Sequence, residues 1–138
     1  MDGVDLLLGK AGFLIFTLGL AIGAAIPRFR NSRMGLSAHT TAVQAGTALI
    51  AFGLFWPRFE IASWAAMPLA VSLIASFCVL ILSLVLAASF GASAALPIAG
   101  AGFGSSKAKE RTVSILAVGS SVWMLLACIA VCLFLLFS

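Results

Sequence analysis

PRFRNSRMGLSAHTTAVQAGTALIAFG, running from Pro27 to Gly53, decides how this chain is read. It opens as a basic loop, in which Arg28, Arg30 and Arg33 supply three of the eight basic residues, and continues as an apolar helix carrying the only histidine, His39. A segment that passes from arginine to Ala, Leu, Ile and Phe moves from headgroups into hydrocarbon. His39 should therefore lie about one turn inside a membrane, near its more positive side, where an ionisable side chain is a functional candidate by default.

Composition extends this reading to the whole chain. Of 138 residues, 63% are hydrophobic and only 9% charged, and there is no tyrosine; mean hydropathy is +1.23. A soluble domain carries about 25% charged residues, so the expectation is an all-α integral membrane protein. Four apolar runs are each long enough to span, at roughly 20 residues of helix per bilayer. They cover about 4–26, 36–56, 62–90 and 112–137, a single domain over residues 1–138 arranged as a four-transmembrane-helix bundle. Lys10 is near enough to its end to extend its amine towards the headgroups. GASAALPIAGAGFGSS, residues 91–106, breaks the third run with Gly91, Pro97, Gly100, Gly102 and Gly104. Asp2 and Asp5 stand where a basic n-region would begin, so no cleavable signal peptide is expected. The last apolar run reaches the end of the sequence, and no folded region is expected beyond it.

Loop charges set an orientation, because Lys and Arg are retained on the cytoplasmic side. Arg28, Arg30, Arg33, Lys107, Lys109 and Arg111 fall on one side and Lys10 and Arg58 on the other. This six-to-two count places residues 27–35 and 91–111 in the cytoplasm and both termini outside, in the cell inner membrane. The net charge of +4 suits anionic membrane lipid, so no nucleic-acid partner is expected.

Helical spacing assigns faces. Gly12, Gly19 and Gly23 share a stripe on the first helix, and Gly19 with Gly23 gives the small-xxx-small pattern of close helix contact. Ser72, Ser76 and Ser83 share a face of the third, either as packing residues bonded to their own helix or with Ser76 lining a site. On the second, His39, Gly46 and Gly53 recur every seven residues. That face has room for a flat group, or equally for a neighbouring helix, with the imidazole bonded to a carbonyl. Gln44 lies about 140° around from His39, beside Thr40, Thr41 and Thr47, and this polar face calls for contact with protein. Cys78, Cys128 and Cys132 have no metal-ligand spacing with the histidine. No carboxylate lies within a span, which disfavours a proton-coupled transporter.

NSRMGLSAH, at Asn31–His39, with Gly46 seven residues on, and LPIAG, at Leu96–Gly100, followed by Glu110, resemble the small four-helix membrane proteins called hydroxylaminobenzene mutases. The similarity covers most of the chain in the same order. The layout is more distantly similar to styrene oxide isomerases, which also carry a histidine at the start of the second helix.

That resemblance implies an isomerase acting on a small aromatic substrate: an arylhydroxylamine becomes a 2-aminophenol as its hydroxyl moves from nitrogen to the ring. It also implies haem b as cofactor, with His39 as axial ligand to an iron acting as Lewis acid. Gly46 would give the macrocycle clearance, Arg30 or Arg33 would pair with propionates, and a homotrimer would share the pocket between protomers. Gln44 and Ser76 are the polar side chains expected near the chemistry. Ala45 stands where the family carries Asn, and Ser76 and Phe77 where it tends to carry Asn and Trp. An epoxide isomerase, a small transporter and an electron-transfer haem subunit remain alternatives.

Overall fold

The computed structural model describes residues 3–137, where every regular element is helical. Met1, Asp2 and Ser138 lie outside the described residues, and so does the part of the signal-peptide expectation that rests on Asp2. Helix α1 is Val4–Ala25, α2 Ser32–Phe55, α3 Ser63–Phe90 and α4 Lys107–Phe137. Short 3-10 turns at Ile26–Arg28 and Trp56–Arg58 follow α1 and α2, each with a proline at its start, where a missing N–H costs little.

Two helices begin about a turn before their apolar runs. At α2 the cause is Asn31, whose side-chain oxygen accepts the Met34 N–H at 3.1 Å and satisfies a free donor of the first turn. At α4 the KAKER cluster is itself helical, with Glu110 in the first turn, where a carboxylate suits the helix dipole. At the other end of the hairpin loop, α3 stops at Gly91. Its φ of +70° lets the chain turn left-handed while its N–H bonds Ala87 at 2.9 Å.

Helix α2 runs antiparallel to α1 along its whole length, and glycine sets the distance. A Cβ at Gly46 would stand 2.5 Å from the Phe16 nitrogen and one at Gly12 2.7 Å from the Gly46 carbonyl oxygen. One at Gly53 would meet the Asp5 carbonyl at 2.7 Å. Backbone lies on backbone, which is how helices associate where lipid is as apolar as any side chain. Leu8, Met34, Leu49 and Leu73 fill the centre, all fully buried.

The helices do not close into a four-helix bundle. Helix α3 packs on α1 and α2, while α4 packs on α3 alone among the described helices. A seam of Val113, Ala117, Ser120, Ala127 and Val131 makes that contact; Ile115, Val118, Leu125, Leu133 and Leu136 stand exposed around it. Because α4 is apolar on every side, its sequence does not say how many neighbours it has. By length and composition α1, α3 and α4 can cross a membrane. Helix α2 has 24 residues, but its Arg33, His39, Gln44 and threonines keep it below the same apolarity.

Gly46→Leu should force α1 off α2 and cost at least the roughly 1–3 kcal/mol of overpacking, read as a lower thermal midpoint in detergent. Gly119→Leu, where an added Cβ meets nothing within 4 Å, should leave the midpoint unchanged.

Candidate functional site

His39 sits on α2 against the glycine stripe of α1, and its Nδ1 lies 2.7 Å from the carbonyl oxygen of Gly19. A carbonyl only accepts, so Nδ1 carries the proton and donates it. The contact depends on Gly23, one turn further along α1, since a Cβ there would stand 2.7 Å from Nδ1. In a helix the Gly19 carbonyl already serves its own ladder, and the bare Gly23 exposes its second lone pair to the imidazole. The small-xxx-small pair thus gives access to a backbone acceptor as well as close packing.

This bond fixes the tautomer. In the neutral ring with its proton on Nδ1, Nε2 holds a lone pair. Among the described residues Nε2 has no hydrogen-bond partner, and no buried side-chain nitrogen or oxygen lacks one, so Nε2 reaches the surface of the single chain. A histidine bonded through one nitrogen and open at the other is arranged as metal-ligating histidines are.

The other candidate residues are not gathered around it. Gly46 shares the face of His39, but α1 occupies the space its missing side chain leaves, so within one chain it offers no clearance to a flat group. Gln44 is exposed on the opposite side of α2, in a stripe with Thr40 and Thr47. Ser76 is fully buried and donates to the Leu73 carbonyl at 3.0 Å, which makes it a packing residue of α3. Ala45, 2% exposed, faces the core.

Arg30 and Arg33 serve the loop between α3 and α4. Arg30 donates to the Phe90 carbonyl at 2.7 Å and lies along Gly91; Arg33 donates to the Ala101 carbonyl. Asn31, fully buried, does more than cap α2: its amide donates to the Ala99 carbonyl at 2.9 Å and its backbone N–H to Ala88 at 3.0 Å. Glu110 accepts the N–H groups of Ser93, Ala94 and Ser105, all between 3.0 and 3.1 Å. NSRMG, LPIAG and Glu110 are therefore one assembly, a folded loop fastened to the start of α2. Sequence reading missed Asn31 and Glu110 as its fasteners. The available signals were a helix-capping residue before α2 and a lone carboxylate at the mouth of α4.

The large cavities lie away from His39. One of about 660 Å³ opens at the far end of the α1/α2 pair, lined by Lys10, Phe13, Ile50 and Leu54. Another of about 630 Å³ lies between the chain just before α3 and the end of α4, beside Ile61, Leu133 and Phe137, and a smaller one of about 280 Å³ between α1 and α3 beside Ile15, Ile22 and Cys78. Among the described residues no group of three His, Cys, Asp or Glu could hold a bare metal ion.

Residues 5–136 match the family model described as styrene oxide isomerase. Two hydroxylaminobenzene mutases of Ectopseudomonas oleovorans are similar in part. HabB is 39% identical over 56 residues, 41% of this chain and 34% of that protein. HabA is 39% identical over 51 residues, 37% of this chain and 38% of that protein. The matched part thus spans little more than a third of either relative's length. No solved structure matches. A family match running almost from end to end, over an all-helical chain whose one histidine is held by backbone with its second nitrogen open, establishes that the chain belongs to the styrene oxide isomerase family.

Proposed function

We propose that this protein is a membrane isomerase that converts an arylhydroxylamine to a 2-aminophenol, and that His39 holds a haem b through Nε2. The observation that carries the proposal is the 2.7 Å bond from His39 Nδ1 to the Gly19 carbonyl, which presents Nε2 as an unprotonated donor at the surface. One donor without a surrounding cluster suits a metal that arrives with most of its ligands already attached, as in a macrocycle. When bound, such a group supplies Lewis acidity towards an oxygen of the substrate.

The residues of the chain account for the remainder. In the overall change the N–O bond breaks, a C–O bond forms at the ortho carbon and the ring proton there passes to nitrogen. Atoms balance without oxidant or reductant, so binding and water exclusion are the protein's main tasks. Apolar side chains beside His39 on α1 and α2 hold the aromatic ring. Nε2 opens outward from the single chain, so another copy completes the enclosure, in a homotrimer. Gln44, exposed with Thr40 and Thr47 on the side of α2 away from His39, faces a further copy in the same assembly, where lipid would leave it unpaired. Arg30 and Arg33, each with donors beyond those given to the loop, are the available cations for carboxylates of the cofactor. Gly46 has no part in this arrangement.

We further propose that all four helices span. Helix α2 follows α1 closely along its length, and Arg28, Arg30, Arg33, Lys107, Lys109 and Arg111 gather at one end, facing the cytoplasm. Ser32→Cys in a cysteine-free background should then react with impermeant maleimide only when the cytoplasmic face is open.

A second reading, isomerisation of an aryl epoxide, is favoured by the family match over residues 5–136; partial identity to two mutases favours the hydroxylamine. Assaying both substrates on one preparation distinguishes them.

His39→Ala should lose the haem absorption band and isomerase activity together while still inserting; retention of an unchanged band would refute the ligand assignment. Gly23→Val, which drives a side chain into Nδ1, should weaken the cofactor by about the 10–100-fold typical of a lost outer-shell bond. Turnover in ¹⁸O-labelled water should leave the aminophenol essentially unlabelled. Substantial label would mean that water attacks the ring.

A further inference from the structure

The sixteen residues from Gly91 to Ser106 contain no charge, although they join two helices at the most basic end of the molecule. Much of their backbone is satisfied from within the protein. Three of its N–H groups go to the Glu110 carboxylate. The carbonyls of Ala99 and Ala101 are taken by Asn31 and Arg33, and that of Phe103 by the Ser93 hydroxyl. Internal turns bond Leu96 to Ser93, Gly100 to Leu96 and Phe103 to Gly100.

Irregular chain entering an apolar medium needs its polar backbone paired by protein, and in this loop the N–H groups of Ser93, Ala94, Leu96, Gly100, Phe103 and Ser105 are so paired. Its side chains agree. Leu96 and Ala95 face a cavity of about 200 Å³ between α3 and α4 that Leu84 and Val118 also line. Leu84 is six residues before the end of α3 and Val118 seven beyond Arg111, depths of roughly 9–11 Å at helical rise. Ile98, by contrast, points away from the protein and is 91% exposed, the most exposed large apolar side chain of the described residues.

We infer that the Gly91–Ser106 loop is an interfacial element which dips into the leaflet at the basic end and inserts Ile98 among phospholipid chains, under the control of Glu110. The occupant of the exposed surface is anionic phospholipid. Arg28, Lys107 and Arg111 are exposed around the loop and match its headgroups in charge. An uncharged tip carrying Pro97 and Ile98 matches the acyl region beneath. Lys109, held over the Phe90 ring at 4.7 Å, marks the boundary between the two. This inference does not depend on the reaction the protein catalyses.

The test uses full-length protein with Cys78, Cys128 and Cys132 replaced, reconstituted in phosphatidylcholine vesicles containing phosphatidylglycerol. An environment-sensitive fluorophore on Ile98→Cys should emit at shorter wavelength than one on Lys107→Cys. It should be quenched by lipid carrying a nitroxide near the headgroup and resist aqueous iodide. Iodide quenching equal to that at position 107 would overturn the proposal by placing the tip in water. Resistance to both quenchers would also overturn it, by placing Ile98 in a protein contact. Adding Glu110→Gln should move the same label from lipid to iodide quenching; a label that stays in lipid would remove Glu110 from its proposed role.

Discussion

Close approach of the α1 and α2 backbones is the constraint from which the candidate site follows. With Gly12, Gly46 and Gly53 removing the side chains that would separate them, the helices come near enough for His39 to reach a main-chain carbonyl. That carbonyl is accessible because Gly23 leaves the space above it bare. One choice of residue type therefore sets the packing distance, supplies the acceptor and selects the imidazole tautomer. Lipid gives no hydrophobic drive to bring helices together, and fit at this contact has to supply it.

The loop between α3 and α4 likewise needs partners for its N–H and C=O groups. Asn31, Arg30, Arg33 and Glu110 provide them, and in doing so tie the beginning of α2 to the ends of α3 and α4. His39 stands two turns along α2 from this fastening. A polar cluster remote from the imidazole thus holds the helix that presents it, while α4, bound to α3 alone, has no direct contact with that helix.

Much of this was legible in the sequence, for reasons that are physical. Long apolar runs locate helices because lipid excludes charge, and the two ends that differ are those where Asn31 and Glu110 extend a helix beyond its apolar part. A face of His39, Gly46 and Gly53 announces close approach, but absent side chains do not say what approaches. Here the visitor is α1, whose own glycines meet them, and the expectation of a flat group at Gly46 gives way to a helix. Ser76 is similar: a small polar residue in a span can line a site or bond its own helix, and only its burial against Leu73 decides. The bonds from Asn31 to Ala99 and from Arg33 to Ala101 cross 68 residues, and no local pattern carries such a pairing. An apolar α4 gives no hint that the bundle stays open.

The Gly19 carbonyl holds the imidazole with its proton on Nδ1 and leaves Nε2 as the free donor. With one histidine in the chain, ¹⁵N-histidine magnetic resonance on metal-free protein in bilayers reads this directly, without assignment. In the neutral ring Nδ1 is expected to carry the proton and Nε2 to be bare, and Gly23→Val to remove that preference. A wild-type ring carrying its proton on Nε2 would overturn this assignment, because no lone pair would then face outward to bind a metal.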